Sequence, residues 1–197
     1  HTGAKQLIGR NYRTAPKWSM NGKWAVMYDP IAQVWNKFDG ATGKVVNISD
    51  AIGYPMFVES YDKPAPAPAY GIAGWTADGN NVFLYDAYDW WKVDLTGERQ
   101  PECQTKGYGR KHVKSIRKMT SNIDKDVFQK DETVIVSLCD KDTMDEGVYQ
   151  LDMKGRLRKL MEGNYVYTIN RFSDNHEYCV WNRQNVSEFR DLWWSKA

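Results

Sequence analysis

Residues 74–97 read GWTADGNNVFLYDAYDWWKVDLTG, and the fold is decided by that stretch. The Asp78-Gly79 turn signal precedes a nearly continuous apolar run, 81–86 (NVFLYD). A polar break follows, then a second aromatic strand, Trp90-Trp91-Lys92-Val93-Asp94-Leu95, which stops at Thr96-Gly97. Asn, Asp and Gly tolerate the positive φ that tight hairpin turns require. The same order recurs elsewhere. Asn21-Gly22 precedes 23–29 (KWAVMYD), Asp174-Asn175 precedes 177–182 (EYCVWN), and Lys130-Asp131-Glu132 precedes 133–139 (TVIVSLC). These runs barely alternate, the pattern of strands covered on both faces.

Each run leads to a second aromatic segment and a turn. Val34-Trp35-Asn36-Lys37-Phe38-Asp39 leads to Ala41-Thr42-Gly43-Lys44, and Val148-Tyr149-Gln150-Leu151-Asp152 leads to Lys154-Gly155-Arg156; Leu192-Trp193-Trp194-Ser195-Lys196 ends before a turn. Taking Trp35, Trp91, Tyr149 and Trp193 as equivalent gives spacings of 56, 58 and 44 residues. A degenerate period of about 50 residues points to solenoids, propellers or arrays. No helical apolar stripe exceeds two turns, so the chain reads as all-β. The meander fits a propeller blade, in which stacking buries both faces of the inner strands. A single β-sandwich is the alternative, but it alternates more cleanly and does not repeat one closing strand. The expected fold is a single partial β-propeller of about four degenerate four-stranded blades, over roughly 10–60, 70–115, 116–163 and 164–197.

Composition narrows the function. In 197 residues, 27 Lys+Arg face 25 Asp+Glu, too balanced for a strongly basic nucleic-acid binder. No apolar run is long enough to span a membrane. Nine Trp, 12 Tyr and 6 Phe suit short strands packed with flat rings. Cys103, Cys139 and Cys179 are too few and scattered for a disulfide framework and do not decide the compartment; Cys139 and Cys179 read as small hydrophobes in buried strands. The chain opens at His1 rather than Met, which reads as a trimmed chain.

Two segments break the rhythm. The prolines of 61–70 (YDKPAPAPAY) favour an extended conformation, read as an exposed inter-blade loop in preference to a docking strip for aromatic grooves. The basic segment 106–118 (KGYGRKHVKSIRK) is read as a solvated strand and connection, because Asp124, Asp126, Asp131 and Glu132 follow it at once.

Chemistry is sparse. No serine lies in a G-x-S-x-G elbow; Ser60, Ser115 and Ser137 lack the flanking glycines. His1, His112 and His176 lie apart from one another, and without H-E-x-x-H or C-x-x-C there is no support for zinc. Asp140, Asp142 and Asp145 lack the Gly and Glu offsets of a calcium loop. No glycine-rich phosphate cradle is present. Neither a catalytic, a metal nor a cofactor-binding residue is assigned.

Residues 74–97 resemble a blade of the propeller domain of prolyl-oligopeptidase-type serine peptidases, including the dipeptidyl-peptidase-IV-like branch, with their D-x-x-D-x-W-x-V-D-L string. Residues 34–48 (VWNKFDGATGKVVNI) are similar to the closing part of another such blade. Residues 172–197 (FSDNHEYCVWNRQNVSEFRDLWWSKA) resemble the last blade before the hydrolase domain. The resemblance implies a non-catalytic fragment that gates short peptide substrates over a hydrolase domain of the same parent chain. That hydrolase domain, with its triad, is absent from these residues, and family habit implies export. TolB-like propellers share the Asp-Gly turn and aromatic strand, so the alternative is a module binding a protein partner. Open blade edges invite self-association, and the Trp90-Trp91 and Trp193-Trp194 doublets raise a carbohydrate-binding surface as a third reading. On the first reading the parent protein cleaves chromogenic dipeptides, X-Pro included, while this chain alone releases no chromophore; parallel assays check this, and cleavage by the chain itself would overturn it.

Overall fold

The computed structural model describes residues 3, 5–10, 12, 14–119, 126–175 and 177–196. The chain divides into two compact units, His1–Ala87 with Trp91–Glu102, and Tyr88–Trp90 with Cys103–Ala197. In the first unit β1 (Lys17–Trp18), β2 (Trp24–Asp29), β3 (Val34–Asp39) and β4 (Val45–Asn47) form a four-stranded sheet in sequence order. A second sheet follows with β5 (Ile72–Thr76), β6 (Asn81–Tyr85), β7 (Trp90–Asp94) and β8 (Glu102–Cys103), again in sequence order. The second unit begins with a one-turn helix, α1 (Tyr108–Lys111), β9 (Lys114–Lys118) and the short β10 (Val127–Phe128). It continues with β11 (Thr133–Asp140), β12 (Glu146–Asp152) and β13 (Leu157–Gly163), the third sheet running β13-β12-β11-β9. The fourth sheet is β14 (Val166–Phe172), β15 (Tyr178–Gln184) and β16 (Asp191–Lys196), in that order. Repeated antiparallel meanders make the chain all-β, a partial β-propeller, and among the described residues the fourth sheet has three strands rather than the expected four.

The turn residues build one motif three times. At the first hairpin of sheets one, two and four, a Ser or Thr hydroxyl donates to the Asn or Asp two positions on. The bonds are Ser19 Oγ to Asn21 Oδ1 (2.8 Å), Thr76 Oγ1 to Asp78 Oδ1 (2.5 Å) and Ser173 Oγ to Asn175 Oδ1 (2.7 Å). The same hydroxyl accepts the amide five residues on, from Trp24, Asn81 and Tyr178. The Asn or Asp oxygen accepts the amide two residues on, from Lys23, Asn80 and Glu177. Side chains thus stand in for a ladder bond. Among the described residues of these three turns only Gly22 and Gly79 take positive φ, both 69°, so Asn21 and Asp78 serve as acceptors and not as left-handed turn residues.

A second repeated feature ends the third strand of sheets one to three. Asp39 accepts amides from Ala41 (2.8 Å) and Thr42 (3.1 Å), Asp94 from Thr96 (2.9 Å) and Glu98 (3.1 Å), and Asp152 from Lys154 and Arg156 (both 2.9 Å). The Thr42 and Ala41 amides hold the Asp39 carboxyl below the usual range, and the Arg156 amide does so for Asp152. Counting back four residues from each Asp reaches Trp35, Trp90 and Val148. The equivalence of Trp35 with Trp91 and Tyr149 is therefore one residue out of register. Both strand faces carry large side chains here, so an aromatic ring alone does not fix which face it marks.

Burial divides the runs read as covered on both faces. Residues 24–28 of β2 and 82–85 of β6 are buried throughout, in a core that joins Trp24, Val26, Tyr28 and Trp35 to Trp75, Val82, Leu84 and Leu95. By contrast β11 and β15 alternate, and Cys139 is half-exposed. In β15 the face of Cys179 and Trp181 belongs to the core cluster with Val148, Tyr167 and Ile169 while Tyr178 and Val180 are exposed; in β11 Val134, Val136 and Leu138 are buried on one face and Ile135 on the other packs against that cluster. In the first unit Asn21 Nδ2 donates across sheets to Asp78 O (2.9 Å) and Asn80 Oδ1 (3.2 Å). A Cβ at Gly79 would lie 2.6 Å from the Asn21 amide nitrogen, so this close approach requires glycine.

The proline-rich segment is a loop exposed at residues 62–64 and 68 and fastened along the rest. Val58 N donates to Pro68 O (2.8 Å), Tyr70 N to Met56 O (3.1 Å), and Tyr28 Oη to Ala67 O (3.2 Å). Ala65, Pro66 and Ala67 are half-buried. Prolines supply no amide donors, so the segment is fastened through its carbonyls and flanking residues.

Asp89 is the buried anchor of the second unit, 1% exposed. Its carboxylate accepts Thr105 Oγ1 (2.6 Å), the Gly109 amide (2.8 Å) and the Arg110 amide (2.9 Å), fixing the start of α1. Trp90 beside it donates Nε1–H to Ile116 O (3.0 Å) and stacks on Phe128. In sheet three, Glu162 accepts Lys114 Nζ (2.6 Å), Lys159 Nζ (3.1 Å) and Tyr149 Oη (3.1 Å). The residue facing Glu162 is Gly147, and a Cβ there would lie 2.6 Å from the Tyr149 ring, so its bareness admits that ring. Among buried side-chain nitrogens and oxygens of the described residues, the Trp35 indole N–H alone has no partner, a deficit of about 1–3 kcal/mol.

Two predictions follow from these carboxylates. Asp89→Ala strands three donors and lowers unfolding stability by about 3 kcal/mol in urea titrations. Lys114 above all, then Lys159 and Tyr149, pull Glu162 from an ordinary 4.5 down to about 2. A depressed carboxyl stabilises the fold fully above its unfolded value, and the contribution fades as pH falls through about 4.5 toward about 2. Glu162→Gln should flatten the stability curve across that window, read by thermal unfolding at stepped pH.

Candidate binding surface

The fourth sheet carries two unlike faces. On the inner face Trp181 pairs with Trp193, rings stacked 5.8 Å apart at 17°, and Trp181 Nε1–H donates to Ser195 Oγ (2.9 Å). Arg183 lies over Tyr165 (4.2 Å) and Trp193 (5.3 Å) while facing Glu188 at 3.8 Å. Tyr165 Oη donates to Glu188 (2.9 Å), which raises the phenol's pKa. This cation–π and stacking ladder holds β16 rigidly against β15.

The opposite face is bare. The register pairs Val180 with Trp194 and Asn182 with Leu192, and strand alternation sets Tyr178, Val180, Leu192 and Trp194 on one side. Leu192 is 72% and Trp194 71% exposed; Tyr178 and Val180 are exposed as well. Tyr178 and Trp194 pack at 5.9 Å, leaving a continuous apolar strip. At the β15–β16 tip, Asn185 Oδ1 accepts the Ser187 (2.9 Å) and Glu188 (2.7 Å) amides, an arrangement that leaves Phe189 93% exposed. Apolar strips of this kind mark interaction sites on soluble domains.

In sheets one and three the third strand pairs with a fourth, Lys37 with Val46 and Gln150 with Arg158, and β7 has β8 in that place; among the described residues β16 pairs with β15.

Other residues of chemical interest are spent on the fold. Asp86 accepts Trp91 Nε1–H (3.0 Å). With Asp89 and Asp94 already described, every acidic residue of the D-x-x-D-x-W-x-V-D-L string is a structural acceptor. Asp140 accepts the Asp142 and Thr143 amides as a turn, and Thr143 Oγ1 donates to Asp145. Burial raises the Cys103, Cys139 and Cys179 thiols, which disfavours the nucleophilic thiolate. Ser115 and Ser137 donate to the carbonyls of Cys139 and Arg117 (both 3.5 Å). In the basic segment, Lys114 pairs with Glu162, Lys118 with Asp126 (2.8 Å), and Arg110 lies over Tyr88 (4.9 Å). His112 packs on Tyr108; His1, His176 and Asp124 lie outside the described residues. Of the two Trp doublets, Trp90 is fully buried and Trp91 half-buried, so only Trp193-Trp194 reaches the surface substantially.

Sheets and repeats together define a partial β-propeller. No protein-family model matches the sequence, and no curated protein does. Among solved structures, TolB of Agrobacterium tumefaciens is similar over 92% of this chain and 57% of its own, at 13% identity and a TM-score of 0.48. TolB of Acinetobacter baumannii is similar over 93% and 40%, at 13% identity and 0.48. The calcium-binding protein regucalcin of Agrobacterium tumefaciens is similar over 93% and 58%, at 9% identity and 0.42. The chain spans less than two thirds of the length of each.

Proposed function

We propose that this chain is a non-catalytic propeller module that binds a protein partner through the exposed face of β15 and β16. The observation that carries the reading is the group of exposed apolar side chains on one face of these strands, Tyr178, Val180, Leu192 and Trp194. Large apolar side chains left in water together on one face of a sheet offer a partner the contacts that drive docking.

The reading as the cap of a prolyl-oligopeptidase-like enzyme draws on residues 74–97. Their acidic and aromatic groups are engaged in turns and buried hydrogen bonds, so the string speaks for a blade and leaves substrate chemistry without a carrier. The partner-binding reading is therefore favoured.

Selection from a displayed library of random linear peptides tests the proposal. Enriched peptides are expected to carry apolar and aromatic residues. Their binding should weaken about tenfold or more with Trp194→Glu, as loss of a buried aromatic anchor does, and stay unchanged with Ile31→Ser, a change at another exposed apolar residue. No enrichment, or enriched peptides indifferent to Trp194→Glu, would overturn it.

A further inference from the structure

Asn21 alone among the asparagines of the chain is followed by glycine. Asparagine is a thermolabile residue, and its slow reaction is intramolecular. The backbone nitrogen of the next residue, its proton taken by solvent hydroxide, bonds to the side-chain Cγ. The Cγ–Nδ2 bond breaks and the nitrogen leaves as ammonia, with a proton from water. Water then opens the cyclic imide at either carbonyl. The product is aspartate, or its isomer with the main chain routed through the side chain. A following glycine has no Cβ to hinder the attack, and Asn21 and Gly22 are both exposed to the water that the reaction consumes. Asn175 makes the same turn contact in the fourth sheet but precedes His176, whose side chain stands in the way.

The fold engages the atoms that would react. Asn21 Oδ1 accepts Ser19 Oγ–H (2.8 Å) and the Lys23 amide (3.1 Å). Asn21 Nδ2, the leaving nitrogen, donates to Asp78 O (2.9 Å) and Asn80 Oδ1 (3.2 Å) of the second sheet. The attacking nitrogen is engaged as well, since the Gly22 amide donates to Ser19 O (2.9 Å). The carbon between them is crowded. A Cβ on Gly79 would lie 2.9 Å from Asn21 Cγ, so the buried Gly79 backbone packs against it.

We infer that Asn21-Gly22 is a deamidation site held latent by the fold, and that its conversion removes the side-chain tie between the first hairpins of sheets one and two. The amide on Gly22 must release Ser19 O and the Asn21 side chain must leave its partners before imide forms, so the folded chain reacts through a locally opened state. Once the amide has become a carboxylate, both donors are gone. An oxygen then stands against Asp78 O, a backbone acceptor with no proton to offer, and the tie becomes a repulsion. Ammonia is lost to solvent, so the change is one-way. The site lies in the first unit and does not depend on partner binding at the β15–β16 face.

The experiment ages the 197-residue chain in mildly alkaline buffer, folded and in guanidinium chloride, and follows each asparagine by peptide mapping and mass spectrometry. In the unfolded chain Asn21 should convert fastest of the asparagines. In the folded chain it should convert about tenfold or more slowly, since hydrogen bonds must open first. Asn80→Ala takes one acceptor from the leaving nitrogen. It should speed the folded-state conversion about threefold and leave the unfolded rate unchanged. Asp152→Ala, in a turn of the second unit, should change neither rate. Equal conversion of Asn21 in the folded and unfolded chain would overturn the inference. So would an acceleration by Asn80→Ala no larger than that by Asp152→Ala, which would make the protection a matter of global stability. Should Asn80→Ala fail to fold, the folded and unfolded rates of the unaltered chain decide. Asn21→Asp, the product with its main chain intact, should lower the midpoint of urea unfolding at neutral pH; a midpoint equal to that of the unaltered chain would overturn the loss of the tie.

Discussion

A carboxylate taken wholly out of water must have its charge met by donors, and Asp89 is where this chain meets that demand. Residues 88–90 belong to the second unit although the chain on either side of them belongs to the first. Through Asp89 this three-residue loan gathers Thr105, Gly109 and Arg110, and through Trp90 it reaches Ile116 at the head of the third sheet. Gly109 is obliged to be bare, since a Cβ would lie 2.7 Å from both Tyr88 O and Lys114 O. The one-turn helix exists because its first amides have an anion to point at.

The fold was legible in the sequence because its turns are chemically explicit. Ser or Thr followed two residues later by Asn or Asp is a local instruction, executed within six residues and indifferent to the rest of the chain. The Asp residues ending the third strands are of the same kind. Legibility failed where the answer depended on distant partners. Whether Trp35 matches Trp90 or Trp91 is a question of which face packs, and apolar content cannot answer it. The runs 81–86, 133–139 and 177–182 look equally apolar, yet in the last Tyr178 and Val180 stand exposed on one face.

The surface around β16 was half legible. The Trp193-Trp194 doublet stands out in the sequence, and strand geometry already implies one ring on each face. That the outer ring is exposed follows from what packs on the sheet, a tertiary fact. The proline-rich segment is the reverse case. Three prolines in ten residues state its extended backbone plainly, while the fastening by Tyr28 comes from a residue some 39 positions away. Trp35 reads as an ordinary core aromatic in any inspection of the sequence; only its neighbours reveal that its N–H is left over.

The three cysteines bear on the chain's covalent life. All three thiols are free, and burial holds each in its protonated form. Exchange with a disulfide proceeds through the thiolate, so its rate falls with the thiolate fraction. A fold stabilised by turn hydroxyls and buried carboxylates, with its sulfur kept slow to react, has the same covalent structure before and after a change of redox surroundings.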